Sequence, residues 1–131
     1  GSEYGDDKIN KILSLNGINK SEIDYIQSTN DMSYYYNSSK MCILTSVYEG
    51  FPNVLNESIK CCTPVISFDC KSGPSEIIND NNGILIKQYD IDGFVNAIIN
   101  MLTNPIVIKE TPYKSPLQKL VKILGNNHVY K

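Results

Sequence analysis

Three runs of mostly apolar residues divide the chain, and each has the length of one strand. They cover residues 41–45, 64–68 and 84–87. Strands that are covered on both faces have this continuous apolar pattern, so the first two runs in particular predict buried strands. A fourth segment, residues 24–27, is short and rich in strand-forming residues, and it predicts one more strand.

The segments between these runs have the apolar spacing of helices. Asp90 is placed to cap a helix with one apolar face, made of Ile91, Phe94, Val95, Ile98 and Leu102. Asn53 is placed to cap a second helix, with apolar positions at Leu55, Ile59 and Cys62. Four further helices are predicted at residues 8–15, 32–38, 75–79 and 115–124.

Strands and helices alternate with short connections, which predicts an α/β fold: a Rossmann-like parallel sheet with helices on both faces. The 131 residues fit a single domain. Ligands of open sheets bind outside the carboxyl ends of the strands. Residues 46–53 and 69–75 follow two such ends and contain glycine, which lets backbone approach a ligand closely.

Composition narrows the class of ligand. The formal net charge is −2, which provides no electrostatic attraction for DNA or RNA. All twelve basic residues are lysines. A bound phosphate would therefore meet lysine, hydroxyls, backbone N–H groups or a helix N-terminus, because the bidentate fork of arginine is absent from the sequence.

The four cysteines and the single histidine do not have the spacing of a metal site. Cys42, Cys61, Cys62 and Cys70 include no C-x-x-C pair, so no metal is expected. Reduced cysteines acting as small hydrophobic residues favour a cytoplasmic protein. The sequence shows no signal-peptide pattern and no apolar run of the roughly 20 residues that span a bilayer. Gly1-Ser2 is interpreted as a remnant of cloning.

The loop before the predicted helix at Asn53 combines two carboxylates with a helix N-terminus. The first N–H groups of a helix, here those of residues 54–56, have no partner inside it and would point back to the loop. Together with the helix dipole they would bind a pyrophosphate. Glu49 in the loop and Glu57 in the helix would accept hydrogen bonds from hydroxyls on either side. Considered alone, such a pair is more often two solvated side chains.

Four motifs resemble those of the family-four (group 1) retaining glycosyltransferases of the GT-B fold. Residues 49–57, EGFPNVLNE, look like the E-x7-E motif of that family. Residues 63–69, TPVISFD, resemble its TPVV strand, residues 72–78, SGPSEII, its GGxPEII loop, and residues 82–86, NGILI, its NGxLV strand. The resemblance covers about residues 5–103 and leaves residues 104–131 as an unmatched tail. It points to part of the C-terminal, nucleotide-sugar-binding domain.

The resemblance implies roles for the matched positions. Glu49 would accept hydrogen bonds from hydroxyls of the donor sugar, and Glu57 would hold the ribose hydroxyls. Ser28 and Asn30 lie where the family places the loop that binds the base. The sugar and the diphosphate would be surrounded by Gly50, Phe51, Asn53, Val54 and Leu55.

The implied activity is retaining transfer of a hexose or N-acetylhexosamine from a nucleotide diphosphate sugar. Uridine is the expected nucleotide, and a growing polysaccharide, as in capsule synthesis, or a glycolipid is the expected acceptor. Neither a metal nor another cofactor is expected, because basic residues and the helix dipole would stabilise the leaving diphosphate. The parent protein would work in the cytoplasm, at the inner face of the membrane.

The sequence also departs from the family. Cys62 and Ser28 stand where the family has glycine, which would strain the end of one helix and weakens the base-site assignment. The resemblance does not cover the family's first strands, its phosphate-binding Arg/Lys pair or its acceptor domain, so the chain alone is expected to be inactive. The strand at residues 41–45 would then need a partner, either residues 24–27 or a second copy of the chain. A homodimer is the slightly favoured outcome.

Two other functions share parts of this pattern. A nucleotide-sugar epimerase of the GT-B fold has the same architecture, although the E-x7-E loop argues against it. A non-enzymatic, flavodoxin-like binding module is the second alternative. A receiver module of that kind needs paired acidic residues after its first strand, whereas Asp6-Asp7 precede a helix with no strand before it.

Overall fold

The computed structural model describes residues 2–26, 28–48, 52–71 and 73–109, with side chains from residue 7 onward. These residues belong to two compact units, Gly1–Asn30 and Asp31–Lys131. The first unit contains helix α1 and a 3-10 turn, Lys20–Glu22. The elements in chain order are α1 Ser2–Leu15, α2 Met32–Ser38, β1 Cys42–Leu44, α3 Asn53–Lys60, β2 Val65–Asp69, α4 Pro74–Ile77, β3 Gly83–Lys87 and α5 Ile91–Thr103.

The second unit is built on a parallel sheet with strand order β1-β2-β3. Cys42 pairs with Val65 across β1 and β2, and Val65 pairs with Gly83 across β2 and β3. Each strand is followed by a helix, so the connections are the βα crossovers that parallel pairing requires. The predicted α/β class and three of the predicted strands are confirmed.

Helices cover both faces of the central strand β2. Ile66 and Phe68 pack against α5, where the Phe68 and Phe94 rings lie 4.7 Å apart between centroids. Val65 points the other way and packs with Leu55 of α3 and with Ile78. Alternate residues of a strand face opposite sides, so one five-residue strand anchors two layers of helices.

The predicted strand at residues 24–27 is wrong for the part that is described. Asp24 to Ile26 adopt no strand conformation, and Gln27 lies outside the described residues. The apolar side chains nearby remain partly exposed, with Tyr25 at 62%. Strand propensity reflects packing against neighbours on a sheet, and the described residues of this segment are not assigned to any strand.

Strand β1 is shorter and more exposed than its apolar run predicts. Only Cys42–Leu44 of residues 41–45 form the strand, and Ile43 is 43% exposed. Within the described residues β1 has one neighbouring strand, β2, and is therefore an edge of the sheet. A continuous apolar run indicates a strand that can be buried on both faces, but burial also requires other elements to pack against both faces.

The buried face of α5 also differs from the predicted face. Phe94, Ala97 and Met101 are buried, whereas the predicted core positions Ile91, Val95 and Leu102 are each about half exposed or more. The buried residues follow the i, i+3, i+7 spacing of a narrow stripe. The predicted face did not include Ala97, because its small side chain adds little to the apolar pattern. The capping by Asp90 is confirmed, since its carboxylate accepts from the Gly93 N–H at 2.9 Å.

Two helices end in the same hydrogen-bonding motif, one with glycine and one with cysteine. After α1, Gly17 adopts φ +65°, and Ile18 N–H donates to Leu13 O at 3.0 Å. After α3, Cys62 adopts φ +60°, and Thr63 N–H donates to Ser58 O at 3.0 Å. This ending requires a left-handed residue, and only glycine adopts that conformation without steric cost.

Replacing Cys62 by glycine should therefore stabilise the chain. A left-handed cysteine costs about 1–2 kcal/mol relative to glycine. About 0.4–1 kcal/mol of this gain is lost on substitution, because glycine increases the entropy of the unfolded chain. We expect a net gain of about 0.5–1 kcal/mol in the free energy of unfolding, measured in urea. The control is Cys61→Gly, because Cys61 has φ −84° and should lose stability. Equal changes in the two variants would contradict the strain argument.

The predicted helix at residues 115–124 lies outside the described residues. Among the helices that the structure does describe, none is both long and apolar enough to cross a bilayer.

Candidate functional site

Three strands of the second unit end at one edge of the sheet. Because β1, β2 and β3 are parallel, the loops that follow Leu44, Asp69 and Lys87 all start at their common carboxyl edge. The first and third of these loops are joined directly, since Gln88 Nε2 donates to Val47 O at 2.8 Å. Gln88 had no role in the prediction, because only the tertiary structure brings residues 41 positions apart together.

The two loops predicted to form the site also meet each other. Gly73 is buried with φ +112°, and a Cβ at this position would lie 2.5 Å from Pro52 Cδ. Pro52 immediately precedes α3, and Gly73 immediately precedes α4. Glycine is therefore needed at residue 73 both for its backbone conformation and for the close approach of the first loop.

The beginning of α3 differs in two respects from the prediction. The residue before its first turn is Pro52, not Asn53, and no side chain caps the helix. The Leu55 N–H donates to Pro52 O at 3.1 Å, and the Leu55 side chain is fully buried in the core beside Val65. This N–H group is therefore not unpartnered. The N–H groups of a first helical turn lack i→i−4 partners, but the carbonyl just before the turn can accept an i→i−3 hydrogen bond from one of them.

The exposed residues of α3 are the ones that remain available to a ligand. Asn53 and Val54 form the exposed first turn, and Glu57 is exposed one turn further along. The Tyr36 hydroxyl donates to Glu57 Oε2 at 3.2 Å. Burial, reinforced by the neighbouring carboxylate, holds the pKa of Tyr36 well above its usual range. The hydroxyl therefore keeps its proton and acts as a hydrogen-bond donor to the carboxylate.

Tyr36 was missed as a functional residue. The sequence places three consecutive tyrosines on α2, at positions 34 to 36, and the helix period does not say which of them faces the rest of the unit. In the structure only Tyr36 of the three is buried, whereas Tyr34 is 63% exposed. Which tyrosine is buried depends on the tertiary position of α2 beside α3, and this position cannot be inferred from a local sequence pattern.

A buried polar network ties α2 to the turn after α3. Thr63 Oγ1 donates to the carbonyl of Tyr36 at 2.6 Å, and Ser58 Oγ donates to the carbonyl of Thr63 at 2.9 Å. Ser58 and Thr63 are both buried. Buried hydroxyls are stable only when they are hydrogen-bonded, so this network holds Tyr36 and the helix bearing Glu57 in a defined relationship.

Several predicted site residues are not tested by the structure. Glu49, Gly50 and Phe51 lie outside the described residues. Ser28 and Asn30 are exposed and belong to the first unit, and their role in binding a base stays a prediction. No group of three or more His, Cys, Asp or Glu side chains that could hold a metal occurs among the described residues. Independence from metal also stays a prediction.

The cysteines are free thiols in the described structure. Burial raises the pKa of Cys42, and burial together with the neighbouring Cys62 and Glu57 raises that of Cys61. Raised pKa values disfavour the reactive thiolate, which fits residues that fill space and not nucleophiles.

A separate cavity of about 1000 Å³ lies near the turn that precedes β3. Asn79, Asn82 and Ile106 are among its lining residues. This turn is at the amino edge of the sheet, opposite the loops described above. Ligands of open α/β sheets bind at the carboxyl edge, so the cavity is not the first candidate for a substrate site.

Comparison with known proteins identifies the family of this chain. The sequence pattern of the family described as "Glycosyl transferases group 1" matches residues 2–125. The chain belongs to the group 1 glycosyl transferases. It is also similar to the crystal structure of TarM, with a TM-score of 0.70 and 26% identity, over 90% of this chain and 26% of that one. The Rossmann-like sheet is thus that of a GT-B glycosyltransferase, and the flavodoxin-like alternative is set aside.

Individual relatives named as glycosyltransferases agree with this assignment. An uncharacterized glycosyltransferase of Haemophilus influenzae is 32% identical over 96 residues, which are 72% of this chain and 27% of that protein. The lipopolysaccharide 1,6-galactosyltransferase of Escherichia coli K12 is 44% identical over 68 residues, which are 51% of this chain and 19% of that enzyme. The chain therefore spans about a quarter of the length of such relatives or less.

Proposed function

We propose that this group 1 domain binds the nucleotide-sugar donor of a retaining glycosyltransferase. The enzyme would transfer a hexose or an N-acetylhexosamine, with uridine as the nucleotide, to a growing polysaccharide or a glycolipid. The observation that supports the proposal best is the exposed Glu57 on α3, held by Tyr36, in a helix that starts where the loops after β1 and β2 meet. That junction is at the carboxyl edge, where such sheets bind nucleotides.

The chemistry of this helix suits a diphosphate flanked by hydroxyls. Asn53 and Val54 present the first turn of α3, whose dipole favours negative charge. Glu57 is an acceptor for two ribose hydroxyls, and Glu49 would be the matching acceptor for the sugar. The protein holds twelve lysines and no arginine. Helix N–H groups and lysines would therefore carry the stabilisation of the leaving diphosphate.

The names of relatives support the substrate classes. Beside the E. coli galactosyltransferase, the matches include the amylovoran biosynthesis glycosyltransferase AmsD of Erwinia amylovora, at 38% identity. They also include a poly(ribitol-phosphate) α-N-acetylglucosaminyltransferase of Staphylococcus aureus, at 36% identity. These names cover galactosyl and N-acetylglucosaminyl transfer and the biosynthesis of amylovoran. We propose the same range for the protein that contains this chain, acting in the cytoplasm at the inner face of the membrane.

The proposal predicts weak donor binding without transfer by the 131-residue chain. We expect uridine diphosphate to bind with a dissociation constant on the order of millimolar, measured by NMR titration of the labelled chain. Replacing Glu57 by alanine should weaken this binding about tenfold, because one pair of charge-assisted hydrogen bonds is lost. Incubation with a labelled uridine diphosphate sugar should give neither transfer nor rapid hydrolysis.

The matched control is Asp92→Ala, which removes the same charge from an exposed position in the first turn of α5. It should leave the affinity for uridine diphosphate unchanged. An affinity that is insensitive to Glu57→Ala would refute the donor site. Sugar transfer by the chain alone would refute the expectation that the remaining length of its relatives is needed.

Self-association through the edge of β1 also stays a proposal. Within the described residues this strand has one neighbour, and its apolar Ile43 is exposed. An unpaired apolar edge is a template for pairing with another chain. A homodimer would cover it, as would any further strand supplied by the parent protein.

A further inference from the structure

The pair formed by Tyr36 and Glu57 combines a buried donor with an exposed acceptor. Tyr36 is 5% exposed, and its hydroxyl lies 3.2 Å from Glu57 Oε2. Glu57 itself is exposed at the surface of α3. A side chain reaching solvent from a helix ordinarily samples several rotamers, and fixing it on binding costs entropy. Here one rotamer of the carboxylate is already favoured by a partner from another helix.

The direction of this hydrogen bond follows from chemistry. A carboxylate can only accept, so the Tyr36 hydroxyl is the donor. Its raised pKa keeps the proton on the phenol. One bond occupies one of about four acceptor positions on the carboxylate. A lone pair on Oε2 and both on the other oxygen stay suitable for ligand hydroxyls, enough for the two O–H groups of a cis-diol.

The tyrosine is itself held rigidly. Its carbonyl accepts from Thr63 Oγ1 at 2.6 Å and from the Ser39 N–H at 3.1 Å. Thr63 is in turn bound to Ser58, the residue next to Glu57 on α3. Helices α2 and α3 are thus connected twice, once through the Tyr36 side chain and once through its backbone. Because its backbone is held in place, the Tyr36 hydroxyl can orient the Glu57 carboxylate that it contacts.

We propose that Tyr36 is a positioning residue for ribose recognition, which presents the Glu57 carboxylate to the 2′- and 3′-hydroxyls of the donor nucleotide. The inference rests on the proposed donor site. Tyr36 acts through Glu57 and does not touch the ligand. Its contribution is preorganisation: the rotamer of Glu57 is selected before the nucleotide arrives, so less entropy is lost on binding.

The test compares two nucleotides on the chain and on its Tyr36→Phe variant. The variant keeps the buried ring and removes only the hydroxyl. We expect it to bind uridine diphosphate about fivefold more weakly by NMR titration, and to bind 2′,3′-dideoxyuridine diphosphate as the parent chain does. A general loss of structure would weaken both ligands together. Tyr35→Phe, the same chemical change at the adjacent position of α2, should affect neither ligand.

A double-mutant cycle shows whether Tyr36 acts through Glu57. In the Glu57→Ala background, Tyr36→Phe should produce no further loss of affinity. A further loss there, or an unchanged affinity for uridine diphosphate in the single Tyr36→Phe variant, would overturn the positioning role and leave the donor site intact. A Tyr36→Phe chain that does not fold would overturn it too, because the hydroxyl would then be structural.

The same data separate the two proposals. If Glu57→Ala binds uridine diphosphate as tightly as the parent chain, the donor site fails, and the positioning role fails with it. The same conclusion holds if the parent chain shows no binding up to about 10 mM nucleotide. If Glu57→Ala weakens binding and Tyr36→Phe does not, only the positioning role fails.

Discussion

Replacing Gly83 by alanine should cost about 3 kcal/mol or more of the free energy of unfolding. Gly83 is the first residue of β3, and a Cβ there would overlap the carbonyl oxygen of Val65 and approach Val65 Cγ2 to 2.7 Å. Val65 belongs to the central strand, which is paired on both sides. Its carbonyl cannot move away without disturbing both ladders, so overpacking is not relieved. Of a typical total of about 5–15 kcal/mol, this is a large share.

Urea unfolding followed by circular dichroism measures this effect. The control is Gly93→Ala, where the nearest atoms belong to the side chain of Asp90. That exposed side chain can rotate away. The loss of its cap, about 1 kcal/mol, is offset by the better helix propensity of alanine, so Gly93→Ala should stay within about 0.5 kcal/mol of the parent. A Gly83→Ala variant as stable as this control would show that β2 and β3 are not packed as described.

Replacing Gly73 by alanine should cost about 2–6 kcal/mol. About 1–3 kcal/mol comes from forcing a residue with a side chain to φ +112°, and a similar amount comes from overlap with Pro52. Because Pro52 precedes α3, relief of the overlap would displace the start of the helix that bears Glu57. We therefore expect a loss of affinity for uridine diphosphate in addition to the loss of stability.

Gly17→Ala separates the two causes. Gly17 also has a positive φ, +65°, but an added Cβ would meet nothing within 4 Å. This variant should lose only about 0.5–1 kcal/mol, because the cost of the backbone conformation, about 1–2 kcal/mol, is partly offset by the lower entropy of the unfolded chain. Pro52→Ala in the Gly73→Ala background should restore part of the stability, since it removes the ring that the new methyl group meets. No restoration would mean that the two loops are not in contact at this point.

The local patterns of the sequence were sufficient for most of the elements. The helix predicted at residues 32–38 has those bounds in the structure, and the Asp90 cap and the strand at residues 84–87 are confirmed with at most one residue of difference. Capping bonds, turns and helix periods depend on residues a few positions apart, so the sequence expresses them directly. The predicted strand at residues 24–27 failed because its stability requires a ladder partner, which is not a local property.

The candidate site was predictable as a location and less so as an arrangement. The motif at residues 49–57 predicted which loop and helix contain the candidate site, and Glu57 lies within α3 as predicted. Its partner Tyr36 was not predicted, nor was the engagement of the Leu55 N–H by Pro52. Both are contacts whose existence depends on how a neighbouring residue or helix is placed in three dimensions.

The sequence by itself predicted a parallel α/β domain, because continuous apolar runs of strand length alternate with segments of helical spacing. Its four spaced motifs added the resemblance to glycosyltransferases. The tertiary structure alone decided which of three tyrosines is buried, which face of α5 packs on the sheet, and that Gly73 must let Pro52 approach. These outcomes depend on close packing between elements distant in sequence. A helix period leaves several faces possible, and only the shape of the facing surface selects one.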